Sequence, residues 1–193
     1  MDSNQDQFNN TDGLEKVDQV ENMMINTISE TMDLYGVTPS VGRLYGILYF
    51  KQRPMTLDEM KDELGMSKPS MSTSIRKLQD INIVKKVWQK GTKKDLFVAE
   101  KNFFNYFSRF FGMKWERESI MYLESIQIAQ KQLNEVIDNN DDDEALQARA
   151  RQDYEQLENA KRYYKWMDKL TRLTKSGEIF NYIPIDDIDE DDS

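Results

Sequence analysis

The sequence predicts a mainly α-helical chain with one small β-hairpin, and three observations carry that prediction. Apolar residues recur at steps of three and four through most of the chain, the period of an amphipathic helix. Two short helical stretches meet at Gly65, and two β-prone runs joined at Gly91 follow them directly. Two longer helical stretches then occupy residues 102–137 and 144–174. Helix, tight turn, helix and hairpin in that order make a winged helix-turn-helix with a hairpin wing, flanked here by long dimerisation helices.

Taken in order, residues 1–13 ("MDSNQDQFNNTDG") are acidic and amide-rich and are expected to be disordered. From Leu14 to Leu34 the apolar positions Val17, Val20, Met24, Ile28 and Met32 mark a first helix. "YGVTPSVG" interrupts it, and "RLYGILYF" forms a second helix that ends before Pro54. Thr56 and Glu59 have capping-box spacing, so a third helix starts at Leu57 and presents Leu57, Met60 and Leu64 on one face. Gly65 supplies a left-handed turn, Ser67 caps a fourth helix, and Pro69 falls in its first turn, where a missing N–H costs nothing. Met71, Ile75 and Leu78 are its buried stripe.

"IVKKVWQKGTKKDLFVAEK" follows as the hairpin. The acidic run "DNNDDD" between the long helices lacks the glycine and final glutamate of a calcium loop and reads as a turn or an N-cap. In the last helix Leu146, Ala150, Tyr154, Leu157, Ala160, Tyr164, Met167 and Leu170 make one continuous apolar seam. Such a seam wants a partner helix, most simply from a second copy of the chain. The domain plan is a tail over 1–13, N-terminal helices plus the winged domain over 14–100, dimerisation helices over 101–175 and an acidic tail over 176–193.

Composition narrows the function. The chain has no cysteine and no histidine, which removes disulfides, thiolate nucleophiles, Cys/His metal sites and imidazole catalysis. Neither a paired-carboxylate constellation nor a glycine-rich phosphate loop is present, so no enzyme, cofactor or metal site is expected. No apolar run approaches the roughly 18 residues of a membrane span. Nor does the N-terminus have the form of a secretion signal, and a cytoplasmic, membrane-free protein is expected.

The net charge of −9 is unevenly spread. Residues 43–101 hold 13 Lys/Arg against 7 Asp/Glu, a balance of +6, while the remainder holds 13 against 28, or −15. A basic module is thus embedded in an acidic chain, as nucleic-acid binding requires.

The chemistry of that module points the same way. Five of the eight residues from Ser67 to Ser74 carry a hydroxyl. On the second helix of the motif, Lys68, Ser70, Ser72, Thr73 and Arg76, or some subset of them, turn away from its own core and are candidates to touch double-stranded DNA. Small hydroxyls allow close approach to phosphates and base edges. Lys90, Lys93 and Lys94 sit at the wing tip, placed to reach phosphates or an adjacent minor groove. The plainer alternatives are a capped surface helix and a solvated loop.

At these residues the chain resembles the GbsR branch of the MarR-type winged-helix repressors. The resemblance rests on "LYGVTPSVGRLYGILYF", "MTLDEMKDELGMSKPSMSTSIRKL" and "VKKVWQKGTKKDLF", which cover most of residues 30–100. It implies a homodimeric repressor of choline uptake or of glycine betaine synthesis in osmotic stress. It also implies a pseudo-palindromic operator, choline or a related quaternary amine as inducer, and an aromatic site for the trimethylammonium group. Two departures from the pattern stand out: lysine replaces wing arginine at Lys93 and Lys94, and proline stands at Pro69 where glycine is expected.

A quaternary nitrogen offers nothing to hydrogen-bond, so ring faces must hold it, each worth about 0.5–2 kcal/mol. The chain has nine Tyr, nine Phe and three Trp. Phe103, Phe107 and Phe110 read as core, whereas Tyr and Trp carry a polar edge. Tyr45 and Trp115 are the first candidates, on the helices entering and leaving the winged domain, followed by Tyr49, Trp88, Phe111 and Tyr122. A ligand at the junction of winged domain and dimer helices would alter the spacing of the two recognition helices, which must be roughly 34–36 Å to enter successive major grooves. Two other readings remain: a winged-helix protein-interaction module, and a DNA-binding repressor without a ligand.

Overall fold

A computed structural model describes residues 3–139 and 143–186. The chain divides into two compact units, residues 1–106 and 107–193.

In the first unit, helix α1 (Ser3–Asp33) turns Ile25, Ile28 and Met32 inward. It begins well before Leu14, so residues 3–13 are helical where a disordered tail was expected. No proline and no glycine before Gly13 forces a stop in that stretch. Helix α2 (Pro39–Phe50) starts on its proline and is buried almost continuously from Val41 to Leu48. The two helices cross at glycines: a Cβ on Gly42 would lie 2.8 Å from Ser29 Cα, and one on Gly46 would lie 3.1 Å from Ile25 Cα. The Ser29 hydroxyl seals the crossing by donating to the Pro39 carbonyl at 2.8 Å.

Strand β1 (Met55–Thr56) leads straight into helix α3 (Leu57–Leu64). The capping box is complete. Glu59 N–H donates to Thr56 Oγ1 at 3.2 Å, and Thr56 N–H donates to Glu59 Oε2 at 2.7 Å. Gly65, at φ 63°, ends α3 in the left-handed conformation that glycine adopts without a Cβ penalty. Helix α4 (Lys68–Asp80) then starts on Ser67, whose hydroxyl accepts from Ser70 N–H. Met71, Ile75 and Leu78 are buried as the stripe requires. Asn82, at φ 58°, turns the chain out of α4, with Ile83 N–H returning to the Leu78 carbonyl.

Strands β2 (Val84–Val87) and β3 (Leu96–Ala99) form the hairpin. The sheet has three strands in the order β1-β3-β2, all antiparallel, with Val84 opposite Ala99 and Met55 opposite Phe97. The two-residue β1 is too short to show a period. It exists because the N-cap residue Thr56 already holds extended backbone, at φ −84° and ψ 163°, and so can pair with β3 while capping α3. Tyr45, Leu44, Met60, Met71, Leu78, Ile83 and Phe97 share one core beneath this sheet.

Helix α5 (Phe103–Asn139) begins in the first unit, and the second unit comprises its continuation with helix α6 (Glu144–Ser176). Asp143 caps α6, its carboxylate accepting from Leu146 N–H at 2.9 Å. The two helices run antiparallel: Glu116 pairs with Lys175, Tyr122 stacks on Tyr164, and Gln130 bonds Glu158. Of the α6 seam residues Ala150, Tyr164 and Met167 are buried, Tyr164 against Tyr122 of α5, whereas Tyr154, Leu157, Ala160 and Leu170 are half-buried and Leu146 is exposed. A polar knot fixes the register. Buried Gln130 donates to Glu158 at 2.6 Å and accepts from Lys161 at 2.8 Å.

Gly177, at φ 80°, stops α6, and a single 3-10 turn follows over Glu178–Asn181. The expected acidic tail is thus ordered at its start, and its last residues, 187–193, lie outside the described residues. Among the described residues, no helix is long and apolar enough to cross a membrane.

Candidate nucleic-acid interface

The exposed face of α4 is built by its own period. Ser70, Thr73 and Arg76 fall three apart and all are exposed, while Met71, Ser74, Ile75 and Leu78 hold the opposite side in the core. Ser72 is only half-buried and stands at the edge of that face. Thr73 Oγ1 donates to the Pro69 carbonyl at 3.1 Å and Ser67 Oγ donates to Ser70 Oγ at 3.0 Å, so both α4 hydroxyls are held in place with acceptor capacity left. Lys77, four residues beyond Thr73, is exposed beside them. Its i+4 spacing was visible in the sequence and should have placed it among the candidates.

The wing supplies the cations. Lys90 and Lys93 flank Gly91, which takes φ 95°, and both are exposed. Lys94 N–H donates to Thr92 Oγ1 at 3.1 Å, tightening the tip. Arg76, Lys90 and Lys93 make no ion pair among the described residues. Lys68 and Lys94 do: both reach Asp58 on α3, at 2.9 and 3.3 Å. Together they hold the Asp58 carboxyl below the usual carboxylate range, Lys68 contributing most.

The ring candidates separate into distinct places. Tyr45 is 1% exposed and belongs to the core of the first unit. Its hydroxyl donates to the Glu100 carbonyl at 2.8 Å, Tyr106 stacks on it with centroids 5.6 Å apart, and Tyr49 lies 6.4 Å away. Burial, more than any neighbouring charge, pushes the Tyr45 phenol well above its ordinary value. A ligand reaches its faces only by displacing one of those rings, so in this arrangement Tyr45 serves the core. Tyr49 is half-buried between Phe50 and Phe103. Phe103 itself is exposed, contrary to its reading as core.

In the second unit Phe107, Phe111 and Trp115 rise along one side of α5 at i, i+4 and i+8, with centroids 5.4, 5.6 and 6.1 Å apart, each half-buried. Tyr122 is engaged elsewhere, stacked on Tyr164 at 4.1 Å. Trp88 is on the wing and 81% exposed, beside Thr92 and Lys93 and with no ring contact among the described residues. The structure therefore joins Phe111 to Trp115 and Tyr45 to Tyr49, and leaves Trp88 with neither.

Comparison with known proteins gives a consistent family. Residues 103–181 match the family model "GbsR family transcriptional regulator, C-terminal helical hairpin". Over 170 residues the chain is 49% identical to the HTH-type transcriptional repressor GbsR of Bacillus subtilis strain 168, covering 88% of this chain and 94% of that protein. It is 32% identical to the HTH-type transcriptional repressor OpcR of the same organism, over 89% of this chain and 92% of that one. A solved structure described as a transcriptional regulator shares the fold with a TM-score of 0.61 at 15% identity, covering 82% of this chain and 97% of its own. Those curated relatives have a non-enzymatic role, and the matched hairpin is the α5–α6 pair described above. With near half of its residues shared across almost its whole length, the chain belongs to the GbsR family of transcriptional regulators.

Proposed function

We propose that this transcriptional repressor acts as a cytoplasmic homodimer on a pseudo-palindromic DNA operator. Choline relieves its hold, and the controlled genes serve choline uptake or glycine betaine synthesis. One observation carries the DNA reading. The exposed Ser70–Thr73–Arg76 face and the wing cations Lys90 and Lys93, which make no ion pair among the described residues, belong to one folded unit, in a chain whose overall charge is −9. Hydroxyls and a guanidinium suit base edges and phosphates, and wing lysines suit phosphates. Exposed Leu14, Val17, Val20 and Met24 on α1 support self-association, since they make an apolar stripe of the kind that seeks a partner.

The choline reading rests on the family resemblance and is supported by the Phe107–Phe111–Trp115 row. Those rings touch one another, so they offer a trimethylammonium group a wall of outer faces and leave no slot between them. To lower DNA affinity, choline must bind the operator-free protein more tightly than the operator-bound one. The same ring contacts favour a second reading, a repressor without a small-molecule ligand whose aromatic row is packing alone.

The test is operator binding across a salt series. Each lysine or arginine that neutralises a phosphate contributes about 0.9 to the slope of log affinity against log salt. Arg76→Ala and Lys93→Gln should each weaken binding and flatten that slope. An affinity indifferent to salt and to both substitutions would indicate a protein-docking module. Equal choline affinity for free and operator-bound protein would exclude the relief mechanism.

A further inference from the structure

The charges around α3 carry an inference that rests on the DNA-binding reading and extends it. Asp58 is in the first turn of α3, and each of its carboxylate oxygens is taken by a different ammonium group. Oδ1 accepts from Lys68 Nζ at 2.9 Å, and Oδ2 accepts from Lys94 Nζ at 3.3 Å. Lys68 opens α4 and Lys94 closes the wing tip, so one small anion gathers a cation from each element of the interface. Two ammonium groups converging on one anion are spaced to receive a phosphate.

We propose that Asp58 is an internal stand-in for a DNA backbone phosphate, holding Lys68 and Lys94 in the free protein and yielding them when duplex docks. Its helix does not need it as a cap, because Thr56 and Glu59 already satisfy that end of α3. The neighbouring acids are engaged with other cations, Glu59 with Arg53 at 2.6 Å and Asp62 with Lys61 at 3.4 Å. Asp58 alone among the described acids of α3 bridges helix and wing.

The exchange is energetically easy. The side chains of Lys68, Lys94 and Asp58 are 62%, 65% and 42% exposed, and ion pairs this open contribute little to stability. A duplex phosphate brings release of condensed counterions, which Asp58 cannot offer. The cost to the protein is electrostatic. With Asp58 in place the cluster of three presents one net positive charge to DNA, whereas without it the cluster presents two. Asp58 thereby restrains sequence-independent binding, which is essentially all electrostatic.

The experiment measures binding of the full chain to a non-operator duplex, by anisotropy, from 50 to 200 mM salt. Wild type is compared with Asp58→Asn and with Asp62→Asn, which removes a charge from the same helix but none from the bridge. Asp58→Asn should bind more tightly and steepen the salt slope by about 0.9 per subunit, so that its advantage at 50 mM exceeds that at 200 mM by about 3.5-fold per subunit. Asp62→Asn should change less. An unchanged or lower affinity for a folded Asp58→Asn, with wild type binding normally, overturns the role of Asp58 alone. An effect equal to that of Asp62→Asn reduces it to general charge and also overturns it. If neither wild type nor Asp58→Asn binds any duplex, the DNA reading falls with it.

Discussion

Replacing Gly42 with alanine tests whether α1 and α2 cross as closely as the geometry shows. The new Cβ would lie 2.8 Å from Ser29 Cα, 3.1 Å from Ser29 O and 3.4 Å from Met32 Cβ. Non-bonded carbons rest at about 3.5–4.0 Å, so the first contact is short by about 0.7–1.2 Å. Both nearest atoms are main chain and cannot rotate aside, so α1 itself has to move. Adding a methyl to a packed interior costs about 1–3 kcal/mol, and this site belongs at the upper end because helix backbone must give. Alanine's better helix propensity returns about 1 kcal/mol. The net loss is about 2 kcal/mol, a fall in Tm of about 4–8 °C for a chain of this size. Thermal melts followed by far-UV circular dichroism measure it. Gly13→Ala is the control: nothing lies within 4 Å of its Cβ, so it should gain up to about 1 kcal/mol from propensity alone. A Gly42→Ala protein melting at or above wild type, with Gly13→Ala raised, would refute the close crossing.

Other perturbations probe separate parts of the molecule. The Glu59 carboxyl is drawn from 4.5 down to about 2, first by the Thr56 N–H, then by Arg53 and the Thr56 hydroxyl. A depressed carboxylate stabilises the fold above its unfolded value, so the wild-type advantage over Glu59→Gln in urea melts should be full above about pH 4.5 and vanish towards about pH 2. Thr56→Ala removes the acceptor for the Glu59 N–H and should cost about 1 kcal/mol in the same assay. Gln130→Ala loses both bonds of the α5–α6 knot and leaves a gap, costing about 2 kcal/mol, whereas Gln130→Leu should cost less because it fills that gap, Glu158 and Lys161 still pairing at 3.1 Å in either variant. For the ligand, a choline-dependent change in tryptophan fluorescence should survive Trp88→Phe and be lost in Trp115→Phe. The reverse pattern would move the site to the wing.

How much of this was readable in advance depends on how far apart the interacting residues are. The capping box at Thr56 and Glu59, the left-handed Gly65, the Ser67 cap with Pro69 behind it and the Asp143 cap each involve partners within four residues. Backbone geometry leaves such neighbours few arrangements, so residue type and spacing decide them. The exposed face of α4 follows from the same period, and with it the candidates Ser70, Thr73 and Arg76. Periodicity also announced that α6 has an apolar seam, but not what covers it. Helix α5 of the same chain covers it at Tyr164 and leaves Leu146 exposed.

The remaining surprises are contacts between distant positions. Tyr45 looked like a free ring because its hydroxyl partner is the carbonyl of Glu100, 55 residues away. The bridge from Asp58 to Lys94 spans 36 residues, and β1 exists only through its pairing with β3. Sequence alone therefore determined most of the helices, the capped ends at Thr56, Gly65, Ser67 and Asp143, and the basic hydroxyl-rich surface, all set by local sterics and hydrogen bonding, but not the start of α1 or the strand β1. Which ring is core, which lysine is already paired and how much of the seam the chain covers itself were decided by tertiary packing. Those answers depend on what the rest of the chain brings within a few ångströms, and no local pattern encodes that.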